Sequence, residues 1–153
     1  MIYFVRNKNN MKSIRHFGIV VEDLEKSLHF YQDLLGLKTK RDMQEEGIFI
    51  DAILGLKKVK VHTVKIASDE GDTLVELLEY ASHKGKPRDR YEIFDLGASH
   101  IAFTVEEIDD EYQRLKERGI SFISEPQVSA DGKAKVVFCY DPDGVPVELV
   151  QEL

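Results

Sequence analysis

The feature that most restricts what this chain can fold into is an internal repeat. Arg15–Val21 reads Arg-His-Phe-Gly-Ile-Val-Val and Ser99–Val105 reads Ser-His-Ile-Ala-Phe-Thr-Val, so a histidine enters each of two alternating apolar runs. An acidic punctuation follows each run, Val-Glu-Asp-Leu at Val21–Leu24 and Val-Glu-Glu-Ile at Val105–Ile108, and then a helical pattern that stops at Gly36 or Gly119. His100 stands 84 positions after His16, and Ile108 stands 84 positions after Leu24. The register is kept across strand, turn and helix start, as it is in a unit written twice. Two such copies are expected to pack against each other around whatever their histidines hold.

Alternation decides which residues share a face. In Ser13–Val21, Phe17, Ile19 and Val21 point one way, while His16, Gly18 and Val20 point the other, and Gly18 leaves space beside the imidazole. Asp23 has the chemistry of an N-cap for a helix from Leu24 to Leu35. The pattern then predicts strands at Leu37–Met43, Ile48–Leu54, Val59–Ala67 and Thr73–Tyr80, with turns at Gln44–Gly47 and Asp69–Asp72. In the second copy it predicts a strand at Gly97–Val105 and a helix over Ile108–Arg118. Further strands follow around Ser121–Ser124, at Lys135–Tyr140 and at Val145–Val150, with a tight turn at Asp141–Gly144. The expected class is α+β, with two paired modules of a strand, a helix and about three more strands, whose curved sheets flank a central cleft. Residues 1–12 read as an exposed leader and 13–153 as a single domain. Module one takes 13–81, the linker 82–95 and module two 96–153.

Bulk properties narrow the partners. With 42% apolar and 32% charged residues the chain is of the globular class, and a formal net charge of −7 argues against a nucleic-acid backbone or an anionic membrane surface. No apolar run approaches membrane-spanning length. The single cysteine, Cys139, excludes an intrachain disulfide and suits a reducing compartment; set in Val-Val-Phe-Cys-Tyr, it reads as a buried structural thiol. The run Met1–Val5 is too short for a secretory signal, so cytoplasmic localisation is the expectation.

The chemistry lies where the copies match a second time. Glu76 sits in Leu-Val-Glu-Leu-Leu and Glu148 in Pro-Val-Glu-Leu-Val, each within the last strand of its module. A carboxylate in an apolar strand costs several kcal/mol unless it is paired or bound to metal. Two of them at matched positions, beside two histidines at matched positions, ask for one shared explanation. His16, Glu76, His100 and Glu148 make a mixed nitrogen and oxygen set suited to a divalent zinc, nickel, cobalt or manganese ion, and unlike a calcium cage or a thiolate zinc site. Gly18 and Ala102, each two residues beyond a histidine, keep that cavity low in bulk. His29, His62 and His83 fall in a helix, a charged strand and the linker, and are left out of the set.

The motifs Arg-His-Phe-Gly-Ile-Val-Val-Glu-Asp-Leu, Phe-Tyr-Gln-Asp-Leu-Leu-Gly-Leu, Leu-Val-Glu-Leu-Leu-Glu, Gly-Ala-Ser-His-Ile-Ala-Phe-Thr-Val and Asp-Pro-Asp-Gly-Val-Pro-Val-Glu-Leu resemble the vicinal-oxygen-chelate superfamily of glyoxalases, bleomycin resistance proteins and dioxygenases. The resemblance runs from Ile14 to Val150. It implies paired βαβββ units around a metal, with ligand positions falling on His16, Glu76, His100 and Glu148. Two His and two Glu are similar to glyoxalase I, which implies a metal-dependent lyase or isomerase that moves a proton on a substrate with vicinal oxygens. Glu148 and Glu76 are then the catalytic candidates, Arg88, Arg90 and Lys133 are candidates for a thiol cofactor's carboxylates, and a homodimer is the expected assembly. The alternatives are an acyl-CoA epimerase such as methylmalonyl-CoA epimerase, or a non-enzymatic resistance-type small-molecule binding protein. Epimerases of the superfamily usually carry Gln where this chain has Glu76 and add a carboxylate on the third strand, for which Asp51 is the nearest candidate.

Overall fold

The computed structural model describes residues 13–86, 93–97 and 100–153. The expected leader, the linker residues 87–92, and Ala98 and Ser99 lie outside the described residues.

Each half of the chain folds into its own four-stranded sheet. The first contains β1 (His16–Val20), β2 (Lys38–Glu46), β3 (Lys60–Ala67) and β4 (Leu74–Tyr80), in the order β1-β4-β3-β2. The second contains β5 (Ile101–Thr104), β6 (Gln127–Val128), β7 (Ala134–Tyr140) and β8 (Pro146–Glu152), in the equivalent order β5-β8-β7-β6. In both, the first strand runs parallel to the last and the remaining pairs are antiparallel. That crossover is what lays the strand that begins at His16, or that follows directly on His100, against the strand that carries the matched glutamate.

Local chemistry explains the helices. Asp23 caps α1 (Leu24–Leu28), its Oδ1 accepting the Lys26 N–H at 3.1 Å. The helix continues over His29–Leu34 as a π-helical stretch that buries Phe30, Tyr31 and Leu34 together. Gly36, at φ +79°, ends it in the left-handed conformation that a side chain disfavours. In the second half α3 (Ile108–Glu117) buries Ile108 and Leu115.

Two expected strands are corrected. Ile48–Leu54 is a helix, α2, starting after Gly47 and closed by Gly55 at φ +65°. A seven-residue apolar run has no period of its own; here only Ile50 is buried, against Val59 and Val61, and Ile48, Phe49 and Ile53 face outward. Because α2 replaces a strand, β2 runs on through Gln44–Glu46, where a turn was expected. In the second half Ser121–Ser124 contributes only a bridge from Phe122 to Cys139, and the edge strand is the two-residue β6.

Both halves share one core. Ile19, Val64, Ile66, Val75 and Leu77 of the first sheet join Val137, Cys139, Val147 and Leu149 of the second, with Phe30, Tyr31, Leu34, Ile108 and Leu115 from the helices. Polar contacts fix the two halves in register. The Tyr31 hydroxyl donates to Asp141 Oδ2 at 2.9 Å, and Arg114 Nη2 donates to the Leu34 carbonyl at 2.6 Å. Asp141 Oδ1 also accepts the backbone N–H groups of Asp143 and Val145 in the expected Asp141–Gly144 turn. Burial pushes the Asp141 carboxyl above its ordinary range and the Tyr31 hydroxyl well above its own. Cys139 is buried as expected, its thiol pushed up to about 12 by desolvation. Among the described residues no helix is long and apolar enough to cross a membrane.

Candidate metal centre

With Phe17, Ile19, Val75 and Leu77 turned to the core, strand alternation turns His16, Gly18 and Glu76 to the opposite face of the first sheet. Gly18 is the register partner of Glu76, and a Cβ added to it would stand 3.9 Å from Glu76 Oε2. The same construction recurs in the second sheet, where Ala102 is the partner of Glu148 and His100 precedes β5.

The four anticipated residues come together as two pairs, one on each sheet. His16 Nε2 lies 3.3 Å from Glu76 Oε2, and His100 Nε2 lies 3.1 Å from Glu148 Oε2. The carboxylates are the better covered members, with Glu76 and Glu148 side chains 14% and 19% exposed against 34% and 37% for the histidines. Neighbouring ligands on bonds of about 2.1 Å stand roughly 3.0–3.4 Å apart in octahedral or tetrahedral geometry. Each pair therefore has the separation of two adjacent ligands, and each offers one imidazole nitrogen and one carboxylate oxygen, the donor types that suit a first-row divalent ion. Among the described residues no group of three or more His, Cys, Asp or Glu side chains converges within the chain. Each pair by itself offers two donor atoms, one nitrogen and one oxygen.

The neighbours of the pairs differ. Lys65, on β3, is the register partner of Glu76, and its Nζ lies 2.9 Å from Glu76 Oε1. Phe138, on β7, is the register partner of Glu148, and its ring meets the His100 imidazole edge to face at 5.3 Å. Lys65 was not anticipated. Its signal in the sequence is a charge inside the apolar Val64-Lys65-Ile66, but only the β3–β4 register sets it against Glu76. Tyr80 lies on the same strand face as Glu76, and burial, reinforced by the charges of Glu76 and Glu45, holds its hydroxyl above the ordinary range.

The remaining candidates separate cleanly. His29 pairs with Asp33 at 2.7 Å, His62 with Asp42 at 2.7 Å, and His83 with the Ser82 hydroxyl at 2.8 Å, so each histidine left out of the set has a local partner. Asp51 lies on α2, and its carboxylate accepts the N–H groups of Lys58 and Val59, both at 2.8 Å. It staples the loop into β3 and does not reach the sheet face of the pairs as a second carboxylate. Lys133 is exposed at the turn before β7, and Arg88 and Arg90 lie outside the described residues.

Comparison with known proteins agrees with this architecture. Residues 13–149 match the family model described as Glyoxalase/Bleomycin resistance protein/Dioxygenase superfamily. The chain is 31% identical over 137 residues to a probable lactoylglutathione lyase of Synechocystis, covering 89% of this chain and 92% of that one. It is 32% identical over 140 residues to a lactoylglutathione lyase of Neisseria meningitidis serogroup B, covering 90% of this chain and 88% of the relative. A glyoxalase family protein from Bacillus cereus has the same fold, with a TM-score of 0.86 at 24% identity over 96% of this chain and 98% of that one.

Proposed function

The chain belongs to the Glyoxalase/Bleomycin resistance protein/Dioxygenase superfamily, and from that membership we propose that it is a divalent-metal-dependent lyase or isomerase of the glyoxalase I type. Its substrate is a small thiol adduct of a 2-oxoaldehyde, which carries oxygens on adjacent carbons. The observation that supports this reading most is the repeated pair, with Nε2 of a histidine 3.3 and 3.1 Å from a carboxylate oxygen in the two sheets. Relatives named lactoylglutathione lyase favour the same chemistry.

His16, Glu76, His100 and Glu148 would hold a zinc, nickel, cobalt or manganese ion, which supplies the positive charge that acidifies the carbon beside the vicinal oxygens. The proton itself is handled by a carboxylate. Glu148 suits this work, because among the described residues no Lys or Arg lies within 4 Å of it, and Phe138 presents a hydrocarbon where Glu76 faces an ammonium. Glu148 takes the proton from the carbon bearing sulfur and hydroxyl and returns it to the neighbouring carbonyl carbon, while the hydroxyl proton passes to the neighbouring oxygen. The product is a thioester of a 2-hydroxy acid, with no net change in electrons.

Because each sheet supplies two donors, the shell is completed by a second copy, the first sheet of one protomer facing the second sheet of its partner around a twofold axis. Complementation tests this. His16→Ala/Glu76→Gln and His100→Ala/Glu148→Gln chains should each lack bound metal and turnover of a 2-oxoaldehyde hemithioacetal. Co-expressed, they should regain about a quarter of the wild-type sites, since half the dimers are mixed and each has one intact site. Wild-type protein that neither retains nor responds to divalent metal would overturn the proposal.

A further inference from the structure

A cavity of about 410 Å³ opens on the first sheet, lined by Arg15, Lys40, Arg41 and Lys65 together with Asp72 and Leu74. Four cations around one carboxylate run against the composition of a chain whose net charge is −7. Among the described residues no carboxylate lies within 4 Å of the Arg15, Lys40 or Arg41 side chains, while Lys65 reaches Glu76.

Two features of the backbone build this cluster. Ordinary alternation would send Lys40 and Arg41 to opposite faces of β2, but the pairing with β3 skips Lys40 between Thr39 and Arg41. The irregularity re-aims a side chain, and both residues line one cavity. Arg41 is also the register partner of Lys65, and like charges directly opposite each other destabilise a sheet unless an anion joins them. Lys65 is in turn the partner of Glu76, and Glu76 of Gly18. One row across the sheet thus leads from the cations to the His16–Glu76 pair.

We propose that this cavity is an anion subsite for a doubly charged group, a phosphate monoester or a dicarboxylate, on the tail of the substrate. Lys65 bridges that group and Glu76, so the tail is anchored at the first sheet while the reacting end reaches the metal shell. This rests on the functional reading above only for the identity of the reacting end; the subsite is testable without turnover or metal.

Calorimetric titration with phenyl phosphate and with succinate, at constant ionic strength set by sodium chloride, is the test. At least one probe should bind with a Kd in the millimolar range or tighter, and the tighter of the two identifies the tail. In Lys40→Gln/Arg41→Gln, whose altered residues are exposed, binding should weaken roughly tenfold, the factor supplied by one charge-assisted hydrogen bond. Arg41→Glu should weaken it further. His100→Ala/Glu148→Gln, altered only on the other sheet, should bind the probe as the wild type does. Failure of both probes to bind, or equal binding by wild type and Lys40→Gln/Arg41→Gln, overturns the subsite and leaves the proposed reaction standing. Probe binding by a wild-type protein without hemithioacetal turnover supports the subsite and removes the proposed reaction.

Discussion

Glu76 and Glu148 hold equivalent places in two equivalent sheets, each beside a parallel histidine strand and each 3.1–3.3 Å from an Nε2 atom. Across the next strand they part company, for Glu76 meets the ammonium of Lys65 and Glu148 meets the ring of Phe138. Duplication has kept the donor atoms and released the flanks. Glu76 is held from two sides, by an imidazole and an ammonium, whereas Glu148 has an imidazole on one side and a hydrocarbon across the next strand. The halves also differ in length: Glu148 follows Glu76 by 72 positions instead of 84, and the first half spends additional residues on α2 and the loop that Asp51 staples.

Substitutions that exchange these environments would break or sharpen the contrast. Removal of the carboxylate proposed to move the proton is expected to have the largest effect: Glu148→Gln should lower hemithioacetal turnover by about 10²–10⁴-fold. Glu76→Gln should lower metal content with a smaller loss of turnover at saturating metal; equal losses in both would erase the assigned difference in role. Next comes Phe138→Lys, which sets an ammonium against Glu148 as Lys65 is set against Glu76. An ion pair to the introduced ammonium would have to be loosened before Glu148 could take a proton, so turnover should drop roughly tenfold, the factor that goes with one hydrogen bond to a charged group.

A further prediction concerns the polar clasp between the halves, in which Asp141 is the partner of Tyr31 that titrates on the acid side. Asp141 is held above its ordinary value of 3.8 by burial. Its contribution to stability is therefore complete below that value and is lost as pH rises through the folded-state pKa. Asp141→Asn keeps an oxygen for the Asp143 and Val145 N–H groups but does not titrate. Its unfolding free energy relative to wild type should rise with pH across that window, by at most about 1.4 kcal/mol per pH unit; a flat difference in urea titrations from pH 3 to 7 would contradict this. The smallest effect is expected at Gly18, whose counterpart is already Ala102. The added Cβ would sit 3.4 Å from Leu78 and 3.9 Å from Glu76, which is ordinary contact. Gly18→Ala should leave melting temperature and turnover nearly unchanged, whereas Gly18→Val should impair metal uptake.

The duplicated unit, the cap at Asp23, the stops at Gly36 and Gly119, the buried Cys139 and the α+β class all follow from patterns only a few residues long, because alternation, capping and turn chemistry are local. The same locality misassigned Ile48–Leu54. An apolar run with no period reads equally as strand or helix, and the choice fell to the one residue, Ile50, that finds a core. Matched flanks in the two copies singled out His16, Glu76, His100 and Glu148. What lies across from each carboxylate was beyond such patterns, since it depends on strand register between segments about ten residues apart for Lys65 and Phe138, and on a skipped residue at Lys40. Repetition along the chain thus named the residues of the two His–Glu pairs, and pairing across the sheets set their surroundings. A side chain's chemistry is written at its own position, while its neighbours are assigned by hydrogen-bonded strands that meet only in the folded molecule.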